Sequence, residues 1–357
     1  MRDRIAGLGP RSGLGLGLLF AATLATATMM RPVAPVPHYG FIAEIRVAGD
    51  GGWDYLAIDP ATRRLYVTHG DHVDVVDIDH NALVGRIADT PGVHGVAIAP
   101  GLGRVFVSAG QASQANIVDS GSLATIARVA TGEGPDAIVY EPGTNAVYTF
   151  NGHGQSATVF DARTGQVIAN IALAGRPEFA VADPAAARIY ENIEDKNMVV
   201  AIDVRSHAIV DQWPIAPGES ASGMAIDSAH HRLFIGCHNQ RMLMLDSSDG
   251  RVIASVPIGA GVDSNAFDPG TLLAFSANGD GTVTIAHEDT PEQLSVVQTL
   301  ATQPGARTMA LDPSTHNIYL AVAQREPARA GAGSSGVRPA IVPGSFRILV
   351  YGPGSPR

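Results

Sequence analysis

The chain has 357 residues, 45% of them hydrophobic and 16% charged, with 40 glycines, 23 prolines and a formal net charge of −10. That composition supplies ample core material and excludes a disordered chain. An acidic balance repels phosphate backbones, so nucleic acid is not the expected partner.

From the N-terminus, Arg2, Arg4 and Arg11 precede an uncharged stretch from Ser12 to Met30 with an apolar centre at Leu14–Ala27, and Ala25-Thr26-Ala27 is a small-x-small cleavage site. This is the plan of a secretory signal peptide. An uncleaved anchor is the alternative, but it needs about 20 strongly apolar residues, and Gly13, Gly15, Gly17 and several threonines dilute this stretch. Residues 1–27 therefore read as a signal peptide, 28–38 as a short leader, and the expected location is periplasmic or secreted. No other stretch is apolar enough to span a membrane. Removing Arg2, Arg4, Arg11 and Asp3 takes the balance from −10 to −12. Cys237 is the sole cysteine, so no intrachain disulfide can form.

From residue 39 a phrase recurs: a small apolar pair, Asp-Pro, about four residues, then apolar-Tyr/Phe-apolar. It reads AIDPATRRLYV at Ala57–Val67 and ALDPSTHNIYL at Ala310–Leu320, with five copies between. The turn position falls at Asp59, Ala99, Glu141, Asp183, Asp227, Asp268 and Asp312, at spacings of 40, 42, 42, 44, 41 and 44 residues. Within one unit, Tyr55–Ile58, Arg64–Thr68, Val73–Ile78 and Ala82–Ile87 read as four short strands separated by turn residues. Four antiparallel strands per unit of this length make one propeller blade. The seventh unit has only three strands, Thr308–Leu311, Asn317–Val322 and Phe346–Tyr351, and Phe41–Val47 has no other home. The predicted fold is therefore all-β: a seven-bladed β-propeller over 39–352, closed by the N-terminal strand, with a tail at 353–357. Closing the ring removes sheet edges that would otherwise pair with other chains, and a monomer is expected.

The Asp-Pro…Leu-Tyr-Val-Thr pattern at Asp59–Thr68, repeated through residues 39–352, resembles the YVTN-type repeats of YncE-like exported bacterial β-propellers. The resemblance implies the propeller fold and export; it is weak for activity, because the shared motif is a strand–turn–strand scaffold. It also implies a second cysteine near Gly218, which this chain lacks.

A propeller gathers ligands where strand ends converge over the central channel. The residue five before each turn position is Asp54, His94, Asp136, Glu178, Ser222, Asp263 and Arg307, whereas the residue two before is Ala or Val in every unit. Converging carboxylates persist only when a cation, a proton or an arginine compensates. Three readings stay open. The ring caps the channel structurally; or Asp54, Asp136, Glu178 and Asp263 bind a divalent cation, with His94 admitting a transition metal; or Glu178 or Asp136 is a general base with His94 as its partner.

Loops between second and third strands add His69, Asp71 and His72, Asn151 and His153, Glu194 to Lys196, His238 and Asn239, and Asn278 and Asp280. His69-Gly-Asp-His72 chelates a metal or is a solvated turn; Asn278 marks a hairpin turn or contacts ligand. Trp53 stacks on a bound ring or packs on the next blade. Residues 323–345, carrying Arg325, Arg329 and Arg338, form a basic flap over the acidic mouth or a disordered insertion. The chain has no phosphate-binding Gly-rich motif, no H-E-x-x-H and no nucleophile elbow. Cys237 and His238 are adjacent on a strand, so they point to opposite faces and make a poor thiol dyad. Function divides into a binding module for a small molecule, metal ion or protein on the loop face, and a metal-assisted hydrolase or lyase of the lactonase kind.

Overall fold

The computed structural model describes residues 36–47, 49–326 and 339–354. The predicted signal peptide, most of the predicted leader, the end of the tail, and Arg329 and Arg338 in the long loop lie outside these. The described chain forms seven four-stranded antiparallel sheets. Blade 1 comprises Trp53–Asp59, Arg64–His69, His72–Asp77 and Ala82–Ile87, innermost strand first. Innermost strands contact one another in sequence around the ring, and the last, Thr308–Asp312, returns to Trp53–Asp59. No helix among the described residues is long and apolar enough to cross a membrane.

Closure occurs as the periodicity predicts. Tyr39–Arg46 pairs antiparallel with Arg347–Pro353, from Tyr39 opposite Pro353 to Arg46 opposite Arg347, and completes the sheet of Thr308–Asp312 and Asn317–Val322. The sealing strand begins two residues before the predicted Phe41. Tyr39 is 1% exposed, packs edge-on against Phe275 and donates its hydroxyl to the His316 carbonyl. Arg63 of blade 1 reaches Asp312 Oδ2 of blade 7 at 2.6 Å and Asp79 at 2.9 Å, pinning the seam.

The turn of the repeat has a fixed conformation. Arg63, Gly103, Asn145, Ala187, His231, Leu272 and His316, one in each inner hairpin, all have φ between 53° and 62°. Six of the seven are not glycine, so the strain is offset by the turn acid: Asp59, Glu141, Asp183, Asp227, Asp268 and Asp312 are buried and accept the next loop's N–H groups. The aromatic of each motif (Tyr66, Phe106, Tyr148, Tyr190, Phe234, Phe275 and Tyr319) is at most 2% exposed. The core is thus a series of layers between neighbouring blades, such as Phe106 of blade 2 against Phe160 of blade 3. A single blade could not bury these faces alone.

Candidate ligand site at the channel mouth

The ring residue is the second residue of the innermost strand in blades 1 to 6, and Arg307 directly precedes the strand of blade 7. At that point each of the six strands breaks register with its neighbour, as between Trp53 and Leu56 or Pro177 and Ala180. A bulge kinks the strand and re-aims a side chain. The N–H freed by the bulge is recovered by a polar side chain of the second strand. Asp54 N donates to Thr68 Oγ1 at 3.0 Å, Gly95 N to Ser108 Oγ at 2.8 Å, and Glu178 N to Glu191 Oε1 at 2.7 Å.

The ring residues come together unequally. His94 Nδ1 lies 2.6 Å from Asp54 Oδ2 and 3.6 Å from Asp136 Oδ1, and Asp136 Oδ1 has no hydrogen-bond partner. Arg307 is paired with Asp263, whose other oxygen accepts the Ser222 hydroxyl at 3.3 Å. Asp263 therefore stands apart from the set Asp54, His94 and Asp136, whose ligand atoms lie within 4.8 Å of one another. Glu178 lies next to Asp136 and makes no side-chain hydrogen bond with a described residue. Four carboxylates face one imidazole and one guanidinium.

The floor of the ring is aromatic. Tyr55 follows Asp54, is 7% exposed and packs edge-on against Phe179 with centroids 4.8 Å apart. Its hydroxyl makes no hydrogen bond with a described residue, and its phenol pKa is pushed well above 10 by burial and by Glu178, Asp263, Asp136 and Asp54. Burial, then Asp136, raises the Glu178 carboxyl to about 9; burial, then Asp54, raises Asp136 to about 7. Burial raises Asp54 as well, against its hydrogen bond to His94. Burial alone would depress His94, but the Asp54 hydrogen bond and the neighbouring acids raise it to about 9. Glu191, fully buried beneath Glu178, is pushed up in the same way, and its Oε2 has no partner. Burial and like charge thus favour the protonated acids at this mouth.

Two lobes open on the ring. One of about 430 Å³ is acidic and lined by His94, Glu133, Asp136, His153 and Glu178, with Arg176 at its wall paired to Glu194. The other, about 870 Å³, is lined by Trp53, His238, Asp263, Gln303, Arg307 and Arg325. Trp53 is 6% exposed, packs on Phe346 and carries the Arg325 guanidinium 5.6 Å over its ring, so it serves as wall more than as stacking platform. Asn278 is fully buried, its amide donating to Thr282 and Thr284 and accepting from Ser276, which leaves nothing for a ligand. Sequence reasoning missed Tyr55, Phe179 and Glu191. Glu191 had a signal: it follows the motif tyrosine at the position held by Val67, Val107, Thr149, Ile235, Ser276 and Leu320 in the other blades, where a carboxyl is out of pattern.

Neither a protein-family model nor a curated protein sequence matches the chain. Among solved structures, one titled Kuenenia stuttgartiensis hydrazine synthase superposes with a TM-score of 0.67 at 17% identity, over 79% of this chain and 96% of that chain. At that identity the likeness shows the β-propeller fold and nothing of the chemistry.

Proposed function

We propose that this protein is an exported binding module, of the YVTN-type propeller kind its repeats resemble, that seats a small positively charged ligand at the channel mouth over Tyr55. The ligand is an amine or a divalent cation held by Asp54, Asp136 and Glu178. The observation that carries this reading is Asp136 Oδ1, buried without a hydrogen-bond partner beside Asp54 and His94 at the channel mouth. A cation would replace the protons those acids retain and would pair with the orphaned Asp136 Oδ1. The test is calorimetric titration of the dialysed chain with putrescine and, separately, Mn²⁺, at pH 8 in two buffers of different ionisation heat. Binding with proton release, weakened at least tenfold in Asp136→Asn, is expected for one probe. An unchanged affinity in Asp136→Asn, or no binding of either, overturns it.

A second reading, a hydrolase or lyase, is favoured by one observation. Asp54 holds Nδ1 of His94, leaving Nε2 beside Gly110 at the edge of the acidic lobe, the posture of a general acid–base imidazole. Metal-dependent lactone hydrolysis lost in His94→Ala, with Mn²⁺ affinity retained, would select that reading.

A further inference from the structure

A second cluster lies in blade 1, outside the ring. The hairpin of Arg64–His69 and His72–Asp77 pairs His69 with His72 across its turn, and Asp74 follows His72 on the same face. His69 and Asp74 are fully buried; the His72 side chain is 12% exposed. Asp74 Oδ2 lies 3.0 Å from His69 Nδ1 and 3.3 Å from His72 Nε2. Arg86, opposite Asp74 on the next strand, donates to Asp74 Oδ1 at 3.0 Å, and Asp71 Oδ1 is 2.8 Å from His72 Nδ1.

The other blades show what this position holds when it is only structural. In blade 3 it is Asn151, Ser156 and Thr158; in blade 6 it is Asn278, Thr282 and Thr284. There the amide donates to both hydroxyls, and the last hydroxyl accepts the N–H of Gly132 or Gly259. Blade 2 closes the corner with Gln114 donating to Asn116, and blade 4 fills it with Ile193, Met198 and Val200. Blade 1 is different: the buried His72 Nε2 lacks a hydrogen-bond partner although it lies 3.3 Å from Asp74 Oδ2. With His72 Nδ1–H donating to Asp71, its Nε2 lone pair faces an Asp74 oxygen, acceptor against acceptor, and either a proton on Nε2 or a metal cation between the two relieves the contact.

The geometry points to a divalent transition-metal site of the zinc class at this corner, ligated by His69, His72 and Asp74 and oriented by Asp71 and Arg86. Two imidazoles and a carboxylate suit zinc and its neighbours, not calcium or magnesium. Ligand atoms around a tetrahedral ion with bonds of about 2.0–2.1 Å sit about 3.3 Å apart, which the 3.0 and 3.3 Å separations approach. A histidine ligand giving its other N–H to a carboxylate, as His72 does to Asp71, is the usual outer-sphere arrangement. His69 also packs on Phe346 of the closing blade, centroids 4.1 Å apart, so an ion here would stiffen the seam where the ring is sealed.

The test is Co²⁺ loading of the whole chain after dialysis against a chelator. One equivalent with the visible absorption of tetrahedral Co²⁺, displaced by Zn²⁺ and accompanied by a higher Tm, is expected. It should vanish in His72→Ala, weaken about 10–100-fold in Asp71→Asn, and survive in His94→Ala, which touches only the ring. His72 lies near the surface, and near-ultraviolet circular dichroism checks that its variant folds. No tetrahedral band, a band that persists in His72→Ala, or one lost in His94→Ala overturns the assignment.

Discussion

Replacing Glu178 by glutamine should flatten a pH dependence of stability that the ring imposes. Glu178 has an ordinary pKa of 4.5 and is raised to about 9 in the folded chain, first by burial and then by Asp136. Between those values the folded state binds the proton and the unfolded state does not, so stability falls as pH rises through that window. Asp136, raised to about 7, acts in the same direction from about pH 4 upward. His94, raised to about 9, contributes stability that is complete below 6.5 and lost as pH passes 9. At about 1.4 kcal/mol per pKa unit, Glu178 alone sets an upper bound of about 6 kcal/mol. It opens on the acidic lobe, however, where water screens the charge, and shared protons make the contributions non-additive. About 2 kcal/mol is the expected loss from Glu178, or about 3 °C in Tm for a folded domain of about 300 residues. Thermal unfolding at pH 5, 6, 7, 8 and 9 should show Tm declining in the wild type and declining less in Glu178→Gln, whose amide mimics the protonated acid. Carboxyls held low, such as Asp203 at about 2 through its bonds to Ser206, lose their contribution only below about pH 4 and leave this window untouched. A Tm that is flat or rises from pH 5 to 9, or an unaltered slope in the variant, would refute the protonated-ring account.

Other perturbations test other parts of the molecule. Arg63→Ala should cost about 1.5–3 kcal/mol in urea unfolding, because Asp312 loses a charged hydrogen bond at the ring seam but keeps those from Ser314 and Thr315. Gly250→Ala should destabilise by more than 1 kcal/mol by the same assay, since φ is +73° and a Cβ would meet the Trp213 side chain at 2.0–2.5 Å. A Cβ at Gly218 would stand 2.7 Å from Cys237 Sγ, so Gly218→Cys should form a disulfide on air oxidation, read as loss of both free thiols and a Tm gain from closing a short loop. In the unaltered chain, burial pushes the Cys237 thiol up to about 12, so a thiol reagent should modify it only at the rate of unfolding.

The fold was legible because a propeller repeats its constraints. The buried aromatic of each unit, the turn acid and the strand lengths recur for reasons that act within one blade and one interface, so each copy reinforces the reading of the next. The sealing strand was legible by default, since Phe41–Val47 had no other partner. The ring register could also be read, because counting back from the turn reaches the same bulge in blades 1 to 6. What the count could not give was pairing. Nothing in the spacing says that Arg307 would take Asp263 or that His94 would lean to Asp54, because those choices depend on how far each bulge turns its side chain inward. Tyr55 and Phe179 were hidden for a different reason: a large residue beside a ring position reads equally well as core packing.

Departures from the repeat are therefore the places where chemistry is concentrated. Glu191 stands where other blades carry an aliphatic residue or a hydroxyl, and a carboxyl with an unpartnered oxygen lies buried under the acidic mouth. His69, His72 and Asp74 stand where blades 3 and 6 carry a closed amide–hydroxyl network, and two imidazole nitrogens are left without partners. In both places the scaffold already had a cheaper solution, used elsewhere in the same chain. Burying an ionisable group that lacks a partner costs several kcal/mol beside a satisfied polar network. Both corners leave buried polar atoms unpartnered where blades 3 and 6 close the equivalent hairpin corner, and the cation titrations proposed above test what those atoms are kept for.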